Sequence, residues 1–259
     1  MKPRVEIAER RARVAGLDVC LRRAGEATVL YLHGVPTAGW DWDPFLARTG
    51  GVAPDLPGFG SSAKPGDFDY SISGYADFLE ALCDELGLGR FSLVMHDWGV
   101  VGLELALRRP EAVERIVLTA VVPFMPGYRW HRVARAWRTP VIGELTMGFA
   151  TRLGFRRSLP RAIADRAYDD FDHGTQRAIL RLYRSAPPEV LSRHGERLGE
   201  LRCPALVLWP TRDPYIGAEF GERYAQALGG EVELERIDAG HWPWLERPET
   251  VDRVASFLG

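Results

Sequence analysis

The sequence predicts an α/β protein: a mostly parallel central sheet flanked by helices, with a helical segment inserted into it. Three observations carry this. Short apolar runs alternate with helical patterns over most of the chain, as in a parallel sheet with crossover helices. Between residues 123 and 195 the alternation stops, and helical periodicity continues without a strand. Polar residues mark four ends of apolar runs, at His33-Gly34, Asp97, Asp213 and His241, and in an open parallel sheet ligands lie beyond the carboxyl ends of the strands.

The elements follow in order. The first 25 residues alternate and contain Gly16 and Gly25, a strand pair leading into the fold. An apolar run at 28–32 ends in His33-Gly34, and a second ends at Asp55-Leu56-Pro57-Gly58. A helical pattern over 73–86 stops near Gly87 and Gly89. A strand at 91–95, a helix at 98–109 and a strand at 115–121 come next. The insertion then carries 13 arginines against six acidic residues, which reads as solvated helix faces. After Pro204 the expected elements are a strand at 205–209, a helix at 218–228, a strand at 232–237 and a helix at 249–258. The division is thus a core from 1–122 and 196–259, and a cap from 123–195.

Composition narrows the function. With 259 residues, 46% hydrophobic and 26% charged, the chain can bury a sizeable core. A net charge of -2 gives no reason to expect a nucleic-acid or membrane partner. Cys20, Cys83 and Cys203 are far apart and odd in number, so they read as buried apolar residues or free thiols. The opening MKPRVEIAERRARV holds no apolar run of signal-peptide length, and no stretch reaches membrane-span length. The expected location is the cytoplasm. No metal-ligand spacing and no glycine-rich phosphate loop occurs, so neither a metal nor a cofactor is expected. The oligomeric state is not legible in the sequence.

The stretch LVMHDWGVVGLELA places Asp97 between a strand and a helix. A strand, a sharp turn carrying a nucleophile and a helix form a nucleophile elbow, which needs small neighbours. Gly99 provides one; Met95 stands where glycine is frequent. The chain order Asp97, Asp213, His241 is nucleophile, acid, base. Taken singly, Asp97 also suits a helix N-cap, Asp213 a turn before proline and His241 a loop. His33 and His96 read as structural, and His131, His173 and His194 as surface residues of the insertion.

The motifs LHGVPTAGWDW, PDLPGFGSSAKP, VMHDWG, WPTRDPY and DAGHWPWLERPE, in this order, resemble the α/β-hydrolases with an aspartate nucleophile, the epoxide hydrolases and haloalkane dehalogenases. The resemblance covers nearly the whole chain outside the cap. It implies the α/β-hydrolase fold, with the helical cap inserted after the sixth strand.

The residue type itself restricts the chemistry. A carboxylate is ionised at neutral pH without help from a base. Attack on a saturated carbon gives an ester, whose carbonyl water can attack; a serine would give an inert ether. Asp97 therefore points to an sp3 electrophile with a leaving group. Asp97 forms an alkyl ester, and His241, oriented by Asp213, activates a water to hydrolyse it. Backbone N–H groups of Val35 and Trp98 would hold the oxyanion. The leaving group separates the two branches. The resemblance assigns Tyr183 as a cap tyrosine that would donate to an epoxide oxygen, with Tyr168 or Tyr128 as a second. For a halide, the donors would be Trp98 and a cap tryptophan, Trp130 or Trp137, since Val35 stands where many dehalogenases carry a halide-binding Asn. The expected reaction is hydrolysis of a small organic epoxide to a diol, from a small apolar substrate and water. Haloalkane dehalogenation is the alternative, and a non-catalytic small-molecule receptor the alternative of another class.

Overall fold

The computed structural model describes residues 6–26 and 28–259; residues 1–5 and Ala27, which fall in and just after the expected opening strand pair, lie outside the described residues. Strands β1 (Ala8–Val14) and β2 (Leu17–Ala24) pair antiparallel around Ala15-Gly16. Both turn residues have positive φ, 47° and 78°, which matches the twist of the flanking strands.

Then come β3 (Val29–Leu32), α1 (Asp43–Thr49), β4 (Gly51–Pro54) and α2 (Ile72–Leu86). Local chemistry sets the ends of α2. The Ser71 hydroxyl accepts from Gly74 N–H at 3.1 Å, and Gly87 leaves the helix at φ 64° while Leu88 N–H closes onto Cys83 O. Next are β5 (Phe91–His96), α3 (Gly102–Arg108) and β6 (Val113–Thr119). Six helices follow: α4 (Arg132–Arg138), α5 (Ile142–Gly148), α6 (Arg152–Ser158), α7 (Arg161–Asp169), α8 (His173–Ser185) and α9 (Pro188–His194). The chain closes with β7 (Ala205–Pro210), α10 (Glu219–Ala227), β8 (Val232–Ile237), α11 (Pro243–Glu246) and α12 (Glu249–Leu258).

The eight strands form one sheet in the order β1-β2-β4-β3-β5-β6-β7-β8, in which β2 alone runs against the others. The central strands are buried on both faces. Leu93, Met95, Leu30, Leu32, Val207 and Trp209 join one core; Val94, Tyr31, Leu206 and Leu208 join the other. That is why these strands read as continuous apolar runs. The edge strand β8, by contrast, exposes Glu233, Glu235 and Arg236, charges that discourage edge-to-edge pairing.

The helical cap after the sixth strand is tied to the core at both ends. Tyr224 accepts a hydrogen bond from Phe124 N–H at 2.9 Å and donates one to Val122 O at 2.8 Å. Where the chain returns, His194 Nδ1 lies 2.9 Å from Glu104 Oε2 on α3, and a side chain at Gly195 would collide with the Phe124 carbonyl. Three expectations shift. The helix expected from residue 98 starts as a 3-10 turn, Asp97–Val101, because the elbow must turn tightly first. The strand expected at 115–121 ends at Thr119, stopped by Ala120 at φ 46°. The short helix α11, with Pro243 in its first turn, was not expected.

Candidate active site

Asp97 follows the last residue of β5 and has φ 49°, a left-handed conformation costly for a non-glycine residue. Its surroundings hold it there. Asp97 O accepts from Val122 N–H at 3.1 Å, and Oδ1 accepts from Val35 N–H at 2.8 Å. Space is made by glycine on two sides. A Cβ on Gly34 would run into the Asp97 side chain, and one on Gly99 into the Leu32 carbonyl. Met95 is accommodated because Gly102 leaves room for its thioether.

His241 lies in the loop after β8 and Asp213 in the loop after β7. His241 Nδ1–H donates to Asp213 Oδ2 at 2.7 Å, which fixes the ring. The other Asp213 oxygen accepts from Tyr215 N–H (2.7 Å) and Ile216 N–H (3.2 Å). His241 Nε2 is 3.6 Å from Asp97 Oδ2, an ion-pair distance. All three side chains are almost fully buried. Burial alone would lower the His241 pKa, but Asp213 and then Asp97 outweigh it and raise it above the ordinary imidazole range. Burial would raise the Asp97 pKa, and the contact with His241 reverses this and lowers it. Both directions favour a protonated His241 ring beside an ionised Asp97.

A cavity of about 310 Å³ opens onto Asp97 and His241, lined mainly by apolar and aromatic residues. Val35, Trp130, Trp137 and Tyr183 are among its walls. Trp98 is not; its ring is stacked on Trp130 at 5.5 Å and meets Tyr183 edge-on at 5.1 Å. Its indole N–H is buried without an acceptor. The Trp130 N–H is spent on Ala186 O at 3.1 Å. Burial pushes the Tyr183 phenol well above its usual pKa, so it stays an O–H donor. Tyr168 corrects the expectation for a second cap tyrosine. It is outside the cavity, packed on Phe155 at 5.4 Å with the Arg152 guanidinium over its ring. The Arg152 guanidinium and the edge of Phe155 hold its half-buried ring there. Tyr128 lines the cavity instead.

The histidines divide differently from expectation in two cases; one is His194, half-buried with Nδ1 2.9 Å from Glu104 Oε2 and its ring on Phe124. His131 is not a surface residue; it lines the cavity and caps α4 through Nδ1. His33 accepts from Leu56 N–H at 3.0 Å and contacts Gly34 O at 2.8 Å, joining the loops after β3 and β4. His96 is fully buried, and its Nε2–H donates to the His241 carbonyl at 2.9 Å. Asp41 was missed in the sequence. Its buried carboxylate accepts from the Trp242 indole at 3.1 Å, next to His241, and burial raises its pKa to about 7. The available signal was a lone acid between two tryptophans in GWDW.

Known proteins share this arrangement of elements. A model of the alpha/beta hydrolase family matches residues 29–254. The chain is 31% identical to a haloalkane dehalogenase of Mesorhizobium japonicum, over 98% of this chain and 93% of that protein. It is 29% identical to a haloalkane dehalogenase of Bradyrhizobium diazoefficiens, over 100% of this chain and 96% of that one. The crystal structure of haloalkane dehalogenase DbeA from Bradyrhizobium elkani matches with a TM-score of 0.82 at 27% identity, over 98% of each chain. Epoxide Hydrolase A from Mycobacterium thermoresistibile shares the fold, with a TM-score of 0.80 at 23% identity over 98% of each chain. Among the described residues no helix is long and apolar enough to cross a membrane. The chain belongs to the alpha/beta hydrolase family and is an enzyme, with haloalkane dehalogenases among its relatives.

Proposed function

We propose that this hydrolase opens a small apolar epoxide to a diol through an ester on Asp97. The observation that carries the reading is the donor set at the cavity. Tyr183 and Tyr128 are lining phenols, whereas the Trp130 N–H is committed to a carbonyl and Trp98 does not reach the wall. A phenol suits a developing alkoxide. A halide site would need paired N–H donors.

An Asp97 oxygen attacks an epoxide carbon and the C–O bond breaks, leaving a hydroxyalkyl ester with its alkoxide on Tyr183. Ester formation removes the Asp97 charge, one of the two that hold the His241 proton. That proton passes to the alkoxide, and neutral His241 then takes one from a water. The water oxygen attacks the ester carbonyl, with Val35 N–H positioned at Oδ1 to receive the oxyanion and Trp98 N–H proposed as the second donor. Collapse releases the diol and restores Asp97 and the imidazolium, so the cycle closes without an external acid.

Haloalkane dehalogenation is the second reading, favoured by the names of the relatives and by the unpaired Trp98 indole N–H. Trp137, on the cavity wall, would be its second donor. Intact mass spectrometry of a His241→Phe variant separates the two. An epoxide adds its whole mass to Asp97, whereas a haloalkane adds its alkyl group without the halogen. No adduct with any substrate that the parent enzyme turns over would overturn the covalent route. Saturable binding without turnover would indicate a receptor. Tyr183→Phe is expected to lower kcat/KM for an epoxide by about 10²–10⁴-fold and leave a bromoalkane nearly unaffected. Equal losses on both would exclude the leaving-group role.

A further inference from the structure

Among the described residues seven large hydrophobic side chains are exposed, and six of them fall within 133–153: Val133, Val141, Ile142, Leu145, Phe149 and Leu153. Phe149 is 79% exposed and Val141 69%. Ile142, Leu145 and Phe149 follow the i, i+3, i+7 spacing of a single stripe along and just past α5. Val133 and Phe149 also line the cavity, so the apolar surface is continuous with its mouth. A cluster of this kind on a soluble fold marks a contact site.

The charge around it is one-sided. Residues 129–161 hold eight arginines and one carboxylate, Glu144. This gives +7 in a chain whose net charge is -2, leaving -9 for the remainder. Glu144 is already bound to Arg184 at 2.7 Å. Arg129, Arg132, Arg135, Arg157 and Arg161 are exposed and make no ion pair among the described residues. The solvated-face reading of these arginines leaves unexplained the exposed apolar side chains interspersed with them along 129–161.

We propose that this face of the cap docks on an anionic lipid bilayer, with its apolar side chains at the headgroup boundary and its arginines on lipid phosphates. The cavity mouth then faces the bilayer, and apolar substrates dissolved there enter without crossing water. The expectation of no membrane partner rested on the whole-chain charge, which averages out this local excess. A second copy of the chain is disfavoured as occupant, because two such faces would bring like charges together. The inference is independent of whether Asp97 attacks an epoxide or a halide, since its readout is lipid binding.

The test is co-sedimentation of the full chain with vesicles of phosphatidylcholine alone or mixed with phosphatidylglycerol. Retention is expected on the mixed vesicles only and is reversed by high salt. Ile142→Ser with Leu145→Ser, at positions off the cavity wall, lowers partitioning about tenfold or more. Arg135→Gln and Arg157→Gln each lower it about fivefold. Unaltered melting temperature and turnover of a water-soluble substrate show that these variants are folded. Equal binding to both vesicles, binding indifferent to the substitutions, or a dimer in sedimentation velocity without vesicle binding would each overturn the proposal.

Discussion

Asp97 combines a strained backbone with a buried charge, and each is offset by a specific neighbour: Val122 and Val35 through N–H groups, His241 through its ring. His241, the proposed base, is held in turn. His96 grips the His241 carbonyl, and its ring packs on His241 at 4.6 Å. We expect His96→Phe, which keeps the volume but removes the N–H, to slow hydrolysis of the ester more than its formation. On the order of 10–100-fold in kcat is at stake if the imidazole shifts by about an ångström. Pre-steady-state kinetics would then show the ester accumulating; an unchanged kcat would make His96 a packing residue only. The proposed site residues Asp97, Asp213 and His241, which the structure brings together, were legible because each ends a strand run in a fixed order. Asp41 and the contact of His96 were not, because both depend on a loop folding back from more than a hundred residues away.

At the scale of elements, the elbow joins β5 to α3 through a turn whose tightness is set by glycines with unlike neighbours. A Cβ at Gly99 would meet the Leu32 main-chain carbonyl, which the sheet prevents from moving. A Cβ at Gly102 would meet only the ends of the Leu32 and Met95 side chains, which can change rotamer. Gly99→Ala is therefore expected to cost about 3 kcal/mol or more, and Gly102→Ala about 1 kcal/mol. Urea unfolding midpoints measure both, and a Gly102→Ala loss as large as that of Gly99→Ala would contradict the distinction. The α2 cap is a smaller effect: Ser71→Ala is expected to cost about 1 kcal/mol. Strand positions were readable to within a residue or two where both faces are buried. Helix starts were less so at the elbow, where the turn geometry delays the α-helix.

The whole molecule places its buried charges beneath the cap, and its pH response follows. The folded pKa of Asp41 is raised by burial, so its ionisation opposes folding. Stability falls as pH rises from the ordinary carboxylate pKa toward about 7 and stays lower above it. Asp41→Asn removes that dependence, and the variant should gain on the order of 1–3 kcal/mol over the parent at pH 8 compared with pH 4. His241 has a raised pKa and adds stability that is complete below its unfolded pKa and lost as pH rises through the folded one. Asp97, lowered, adds stability lost as pH falls through its folded pKa. Urea titrations at pH 4, 6 and 8 test this: a parent-to-variant difference that does not change with pH would rule out a buried ionising Asp41.

By itself the sequence determined the fold class, the order of strands and helices, and the polar residues at strand ends, because periodicity and chain order are local properties. It also named Tyr183, through a resemblance. Only the tertiary structure decided which donors face the cavity: the Trp130 N–H turned to a carbonyl, Tyr168 left outside, Tyr128 and His131 brought in. Side-chain direction on short cap helices depends on how those helices pack, and packing involves contacts that no local pattern encodes.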